Sequence, residues 1–187
     1  MRIIAGTARR TELLLPPVAA TRPFLELARG ALMNALGPRL AGARILDLYA
    51  GSGALGLEAL SRGAAEGIFV EQDRRAAETL RANAERCRLA GRVTVVSQSA
   101  EDALPSLSST FDLIFVDPPF ADAKQWENDP GGLVVRREAS RLLSDDGILI
   151  FRLEAKGATP PDWPGLILAR DKKYGRSRVC RYCRNAE

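Results

Sequence analysis

The sequence predicts an α/β fold: a mostly parallel seven-stranded sheet with helices on both faces and a small N-terminal β-hairpin extension. Three observations carry that prediction. From residue 44 onward, short apolar runs of strand type alternate with segments of helical periodicity, the pattern of crossover helices on a parallel sheet. The runs are nearly continuous in apolar character rather than alternating, as strands covered on both faces are. A glycine cluster follows the first run directly, where a strand turns into a helix.

The elements follow in order. Ile3–Ile4 and Leu13–Leu15 lie on either side of a basic turn, predicting a hairpin over 2–15. Leu25, Ala28, Leu32, Ala35 and Leu36 share helical spacing, predicting a helix over 23–36 with Pro23 in its first turn. Strands are predicted at RILDLY (44–49), GIFVEQ (67–72), RVTVVS (92–97), DLIFVD (112–117) and GILIFRLE (147–154). Helices are predicted over 54–62 (stopped by Gly63), 74–89 and 132–143, with a short helical segment near 102–107. LILARDKK and SRVCRYC, joined near Tyr174–Gly175, read as a terminal hairpin.

The 187 residues, 46% hydrophobic and 27% charged, suit one domain over 1–187. Within it, residues 1–40 form an extension and 41–187 the core. No apolar run approaches the roughly 20 residues of a membrane span, and MRIIAGTARR lacks the apolar stretch of a signal peptide. Three cysteines form no disulfide framework, so a cytoplasmic home is expected. Charge is unevenly placed. Residues 1–40 hold six arginines against Glu12 and Glu26, and residues 170–187 hold seven Lys/Arg against Asp171 and Glu187, while the stretch between is net acidic. Two basic ends on an acidic body point to a polyanionic partner.

Gly51, Gly53 and Gly56 satisfy G-x-G-x-x-G after the first strand. Glycines there permit a tight turn and close approach of a ligand to a helix N-terminus, and the motif alone suggests a dinucleotide. Two acids shift the reading. Glu71 closes the second strand, where it can accept from a ribose diol. Asp47 lies inside the first strand, where a carboxylate would repel a pyrophosphate but suits a cofactor with a cationic end. S-adenosylmethionine (SAM) has such an end, with a sulfonium and an ammonium. Ser99 and Ala100, after the third strand, fall where its adenine would lie. The predicted cofactor contacts are therefore Asp47, Tyr49, Ala50, Gly51, Ser52, Gly53, Glu71, Gln72, Ser99, Ala100 and Asp117.

The fourth strand ends in Asp117-Pro118-Pro119-Phe120. D-x-x-A-G-S-G, an acid closing strand two and D-P-P-F closing strand four together resemble the Rossmann-like SAM-dependent methyltransferases that act on exocyclic amines. In that reading Asp117 and the Pro118 carbonyl accept the two amine N–H bonds as positive charge develops on nitrogen. The prolines preset the carbonyl direction through their fixed φ. Phe120 stacks a flipped-out base.

The resemblance extends over almost the whole chain. RIIAG, A-T-R-P (20–23), RGALMN (29–34), DLYAGSGALGLEALSRGA (47–64), FDLIFVDPPF and KYG (173–175) resemble the bacterial RsmD-type enzymes that methylate a guanine 2-amino group in small-subunit (16S) ribosomal RNA. The chain departs from them at Phe24-Leu25, where two threonines usually follow TRP, at Ala8-Arg9-Arg10 and at Tyr49. The resemblance implies a small-subunit rRNA substrate, within a ribosomal subunit or assembly intermediate, and a monomer without metal. Arg9, Arg10, Thr21, Arg22 and Arg29 would contact the RNA, with Lys172, Lys173 and Arg176 assisting. Three other readings compete: a DNA adenine-N6 methyltransferase, a glutamine-N5 protein methyltransferase (which would carry Asn at 117), and a non-catalytic RNA-binding assembly factor. Cys180-x-x-Cys183 lacks the further ligands a zinc site needs, and it is expected to pack, as are Trp126 and Trp163.

Overall fold

The computed structural model describes residues 1–17, 26–119, 129–155 and 159–184. Its centre is one seven-stranded sheet in the order β3-β2-β1-β4-β5-β7-β6. The strands are β1 (Arg44–Leu48), β2 (Glu66–Val70), β3 (Val93–Val96), β4 (Phe111–Val116), β5 (Leu143–Glu154), β6 (Ile167–Tyr174) and β7 (Ser177–Cys183). The first five pair in parallel, and β7 runs antiparallel to both β5 and β6. Helices α1 (Glu26–Leu36), α2 (Ala54–Ser61), α3 (Arg74–Arg86), α4 (Ala100–Ala103) and α5 (Pro130–Leu142) complete the layers.

Two apolar cores result, one on each side of the sheet. Ile45, Phe69, Leu113, Phe115 and Ile150 pack with α1, α2 and α3. Leu46, Leu48, Ile114, Val116 and Leu149 pack with α4 and α5. Consecutive residues of one strand enter opposite cores, which is why these strands carry no polar face. Trp163 joins the second core against Phe151 and Tyr182, at ring separations of 5.7 and 5.8 Å. The three cysteines form no disulfide and are buried, so they pack as expected; Trp126 lies outside the described residues.

Some boundaries differ from the sequence expectation. α5 starts at Pro130, because Asp129 caps it by accepting from the Gly132 N–H. β5 starts at Leu143, which pairs with Phe111 before a register shift. The predicted N-terminal hairpin closes through the antiparallel bridge of Arg2 to Glu12 and through backbone bonds from Ile3 N–H to the Thr11 carbonyl, Arg10 N–H to the Ile3 carbonyl and Leu13 N–H to the Met1 carbonyl. Side chains of the core fasten that segment as well. Glu58 accepts from the Ile4 and Ala5 N–H groups, and the Ser61 hydroxyl accepts from Ala8 N–H and donates to the Ala5 carbonyl. Asn83 both accepts from Leu14 N–H and donates to its carbonyl. Gly6 has φ of 86°, and a Cβ there would lie 1.8 Å from the Ser61 carbonyl oxygen, so only glycine allows this contact.

Candidate active site

Parallel register lines up the carboxyl ends of the central strands. Leu48 of β1 pairs with Val70 of β2 and Val116 of β4. The next residue of each strand, Tyr49, Glu71 and Asp117, therefore stands at one level across three neighbouring strands. The chain reverses its winding direction between β1 and β4, and a doubly wound sheet has its ligand crevice at such a switch point.

The glycine loop is braced from both sides. Tyr49 takes φ of 61°, followed by Gly51 at 55° and Gly53 at 79°. The left-handed turn at Tyr49 costs about 1–2 kcal/mol, whereas glycine adopts it freely. A Cβ on Gly51 would meet nothing within 4 Å, so the loop backbone faces open space there. At Gly56 a Cβ would lie 2.3 Å from the Phe69 ring, so the third glycine lets α2 press onto β2. Asp47 Oδ2 accepts from Gly56 N–H at 2.9 Å, and Glu71 accepts from Gly51 N–H through Oε2 and from Asp73 N–H through Oε1, each at 2.8 Å. Asn83 ties the loop from a third direction by donating to the Ser52 carbonyl. Gly53, the N-cap residue of α2, has no side chain to cap it, and Asp47 already takes the Gly56 N–H of the first turn, which leaves the Ala54 and Leu55 N–H groups for a ligand anion.

Asp47 is thus buried beneath the loop rather than open to a ligand. Burial pushes its carboxyl well up, against the Gly56 hydrogen bond, and the nearby Asp117 and Glu71 push it further. The Asp117 and Glu71 carboxylates, close enough to act on Asp47, make this end of the sheet acidic. Open backbone at Gly51, an uncapped helix start and this acidic cluster fit the chemistry of a ligand such as SAM, which carries a carboxylate, a ribose and two cationic groups. Ser99 caps α4 by accepting from Asp102 N–H and donating to its carboxylate, so its hydroxyl is engaged. Ala100 is buried beside it and Gln72 is exposed.

Asp117 meets a residue that the motif reading passed over. Val116 pairs with Phe151 across β4 and β5, which brings Arg152 beside Asp117. The Arg152 Nε donates to Asp117 Oδ1, and its Nη1 donates to the Ser177 hydroxyl at 3.3 Å. Burial raises the Asp117 carboxyl, with the Arg152 guanidinium opposing. The signal was present in the sequence: an arginine inside ILIFRLE is a charge in a buried strand and needs a partner. Pro118 is buried and Pro119 half-buried; Phe120 lies outside the described residues.

The predicted RNA contacts divide. Arg9 and Arg10 are exposed, and Thr21 and Arg22 lie outside the described residues. Arg29 corrects the expectation. It is fully buried, donates to the Arg2 carbonyl and pairs with Glu58 at 3.7 Å, so it offers nothing to a phosphate. In the last hairpin Lys172 and Lys173 are exposed. Arg176 pairs with Glu154 and Arg178 with Asp171, while Arg181 is buried and Arg184 donates to the Ser140 and Leu143 carbonyls. Part of the basic C-terminal charge is therefore structural. Among the described residues no group of three or more His, Cys, Asp or Glu could hold a metal, and no helix is long and apolar enough to cross a membrane.

The strand order, with β7 reversed against its neighbours, and the glycine loop facing an acid at the end of β2 define a Rossmann-like methyltransferase fold. The family model described as "Conserved hypothetical protein 95" matches residues 1–183. The chain belongs to this family, that of ribosomal RNA small subunit methyltransferase D. It is 33% identical over 187 residues to the Escherichia coli K12 protein of that name, covering 100% of this chain and 91% of the relative. It is 32% identical over 185 residues to YlbH of Bacillus subtilis strain 168, named as a candidate rRNA methyltransferase, covering 97% and 98%. A solved structure from Escherichia coli, named as a candidate methyltransferase, yhhF, superimposes with a TM-score of 0.82 at 32% identity, covering 100% of this chain and 99% of that one.

Proposed function

We propose that this chain transfers a methyl group from SAM to the exocyclic N2 amine of a guanine in small-subunit ribosomal RNA. The observation that carries the reading is the position of Asp117-Pro118 at the end of β4, one strand from the glycine loop and level with Glu71. SAM supplies a methyl already activated on a sulfonium. Glu71 and the glycine loop would bind and orient it. Asp117 Oδ2 and the Pro118 carbonyl accept the two N–H groups of the base. That pairing would direct the nitrogen lone pair at the methyl group that SAM, when bound, would supply, with the sulfonium leaving as a neutral thioether. The nitrogen, now positive, gives up a proton, and Asp117 already holds one of its N–H groups. Alignment supplies much of the rate because the leaving sulfur is neutral once released.

The full span 1–187 acts as one methyltransferase domain, with 1–40 as its RNA-docking extension. Arg9 and Arg10 contact phosphates without reading sequence. The deciding experiment gives labelled SAM to bare small-subunit RNA, to subunits lacking the modification and to duplex DNA, followed by digestion to nucleosides. Label in N2-methylguanosine supports the reading and identifies the form recognised. Label in N6-methyladenine from DNA would keep the chemistry of Asp117 and overturn the substrate. No label in any arm, with no SAM binding by calorimetry, would favour a non-catalytic RNA-binding role.

A further inference from the structure

We propose that Arg152 is a positioning residue for the transfer: it holds Asp117 by Oδ1, keeps it an acceptor, and leaves Oδ2 to the amine. The inference rests on the reading of Asp117 as the amine acceptor. Arg152 lies on β5 between Phe151 and Leu153, both buried, and is itself 8% exposed. A guanidinium in such a strand has a large desolvation cost, and a buried ion pair is seldom more stabilising than an apolar pair of similar volume. Stability alone therefore gives little reason for an arginine here. The geometry gives another. Arg152 donates to one oxygen of Asp117, and among the described residues none bonds the other. The Ser177 hydroxyl of β7 steadies the far side of the guanidinium.

The charges around Asp117 explain why a cation is needed. Asp47 faces it from β1, Glu71 stands beyond β2, and Arg152 comes from β5. Burial favours a protonated Asp117. A protonated Asp117 loses the negative charge that stabilises the developing ammonium. Arg152 opposes that protonation. Its own positive charge also repels the ammonium, so it helps only where Asp117 would otherwise be neutral. This gives the role a signature: the loss on removing Arg152 depends on pH.

The test measures kcat/KM against pH for Arg152→Gln, Arg152→Lys and Ser177→Ala, with SAM affinity measured by calorimetry. Arg152→Gln is expected to lose activity most at the acid end, about tenfold for each unit by which the limb moves, and to converge toward wild type at the alkaline end. Its acid limb moves to higher pH. Arg152→Lys restores part of the loss, Ser177→Ala shows a milder shift of the same sign, and SAM affinity is unchanged in all three. A deficit that is equal at every pH, or a limb that does not move, overturns the proposal. If Arg152→Gln does not fold, the limb positions of Arg152→Lys and Ser177→Ala decide in its place. Asp117→Ala separates the two readings. If it keeps turnover, the amine-acceptor reading fails; if it is dead while the Arg152 profiles stay unmoved, only the positioning role fails.

Discussion

Glu58→Ala removes the carboxylate that faces Arg29 inside the first core. Both side chains are fully buried, with Arg29 Nε 3.7 Å from Glu58 Oε2. The same carboxylate accepts from Ile4 N–H at 2.7 Å, Ala5 N–H at 3.1 Å and Arg62 Nε at 2.6 Å. Breaking a buried pair while leaving one partner charged costs about 3–5 kcal/mol. The Arg62 contact, an i,i+4 pair nearer the surface, adds about 0.3–0.5 kcal/mol. The two backbone groups are only partly buried and turn to water at small cost. A loss of about 4 kcal/mol, with a urea slope of about 2 kcal/mol/M, lowers the unfolding midpoint by about 2 M. Urea titration followed by circular dichroism measures it. The double variant Arg29→Met/Glu58→Met removes both charges and should recover most of the loss. A single-variant midpoint within about 0.3 M of wild type would refute the argument that Glu58 fastens the N-terminal segment to the core.

Four further outcomes are expected. Asp117→Ala loses transfer by about 10²–10³-fold while calorimetric SAM affinity holds; near-normal turnover would remove Asp117 from the reaction. Glu71→Ala weakens SAM binding by about tenfold or more, the scale of one charge-assisted hydrogen bond, and unchanged affinity would place the ribose elsewhere. Asp47 binds its proton more tightly in the folded chain than in the unfolded one, so its ionisation lowers stability above the unfolded carboxyl range near about pH 4 and costs nothing below it. Asp47→Asn should therefore raise the urea midpoint at about pH 8 and give no gain at about pH 3.5; a variant less stable at both would contradict that sign. Reversing Arg9 and Arg10 to Glu should weaken RNA binding and reduce its salt slope by about 0.7–0.9 for each phosphate that the protein no longer neutralises, and an unchanged slope would return both residues to solvated surface.

The fold was legible because buried parallel strands show in composition. Ile45–Leu48, Ile68–Val70 and Leu113–Val116 need no partner to be recognised. The glycine loop was legible for a similar local reason, since Gly51, Gly53 and Gly56 each answer a constraint within a few residues or in the next strand. What escaped depends on distant pairing. Arg29 read as a phosphate ligand because its partner, Glu58, lies on another helix, yet Glu58 within the apolar run ALGLEAL was itself a sign of a buried charge. Arg152 needed the placement of β5 beside β4 and the pairing of Val116 with Phe151 before its contact with Asp117 could be seen. The hairpin expected at 2–15 was legible in its local pairing, but its fastening to the side chains of α2 and α3 was not, since no local pattern reveals it.

The position of β7 inside the sheet has a consequence for synthesis. β7, made after both β5 and β6, lies between them, and among the described residues β6 has no other strand neighbour. β6 can therefore join the sheet only as half of a hairpin, after residues 177–183 have left the ribosome. Until then β5 is an open edge, and Arg152 lacks the Ser177 hydroxyl beside it. At synthesis rates of about 5–20 residues per second, the nascent chain carries a nearly finished cofactor loop and an unfinished acceptor site for seconds. The order of translation alone makes the site at Asp117 assemble later than the cofactor loop.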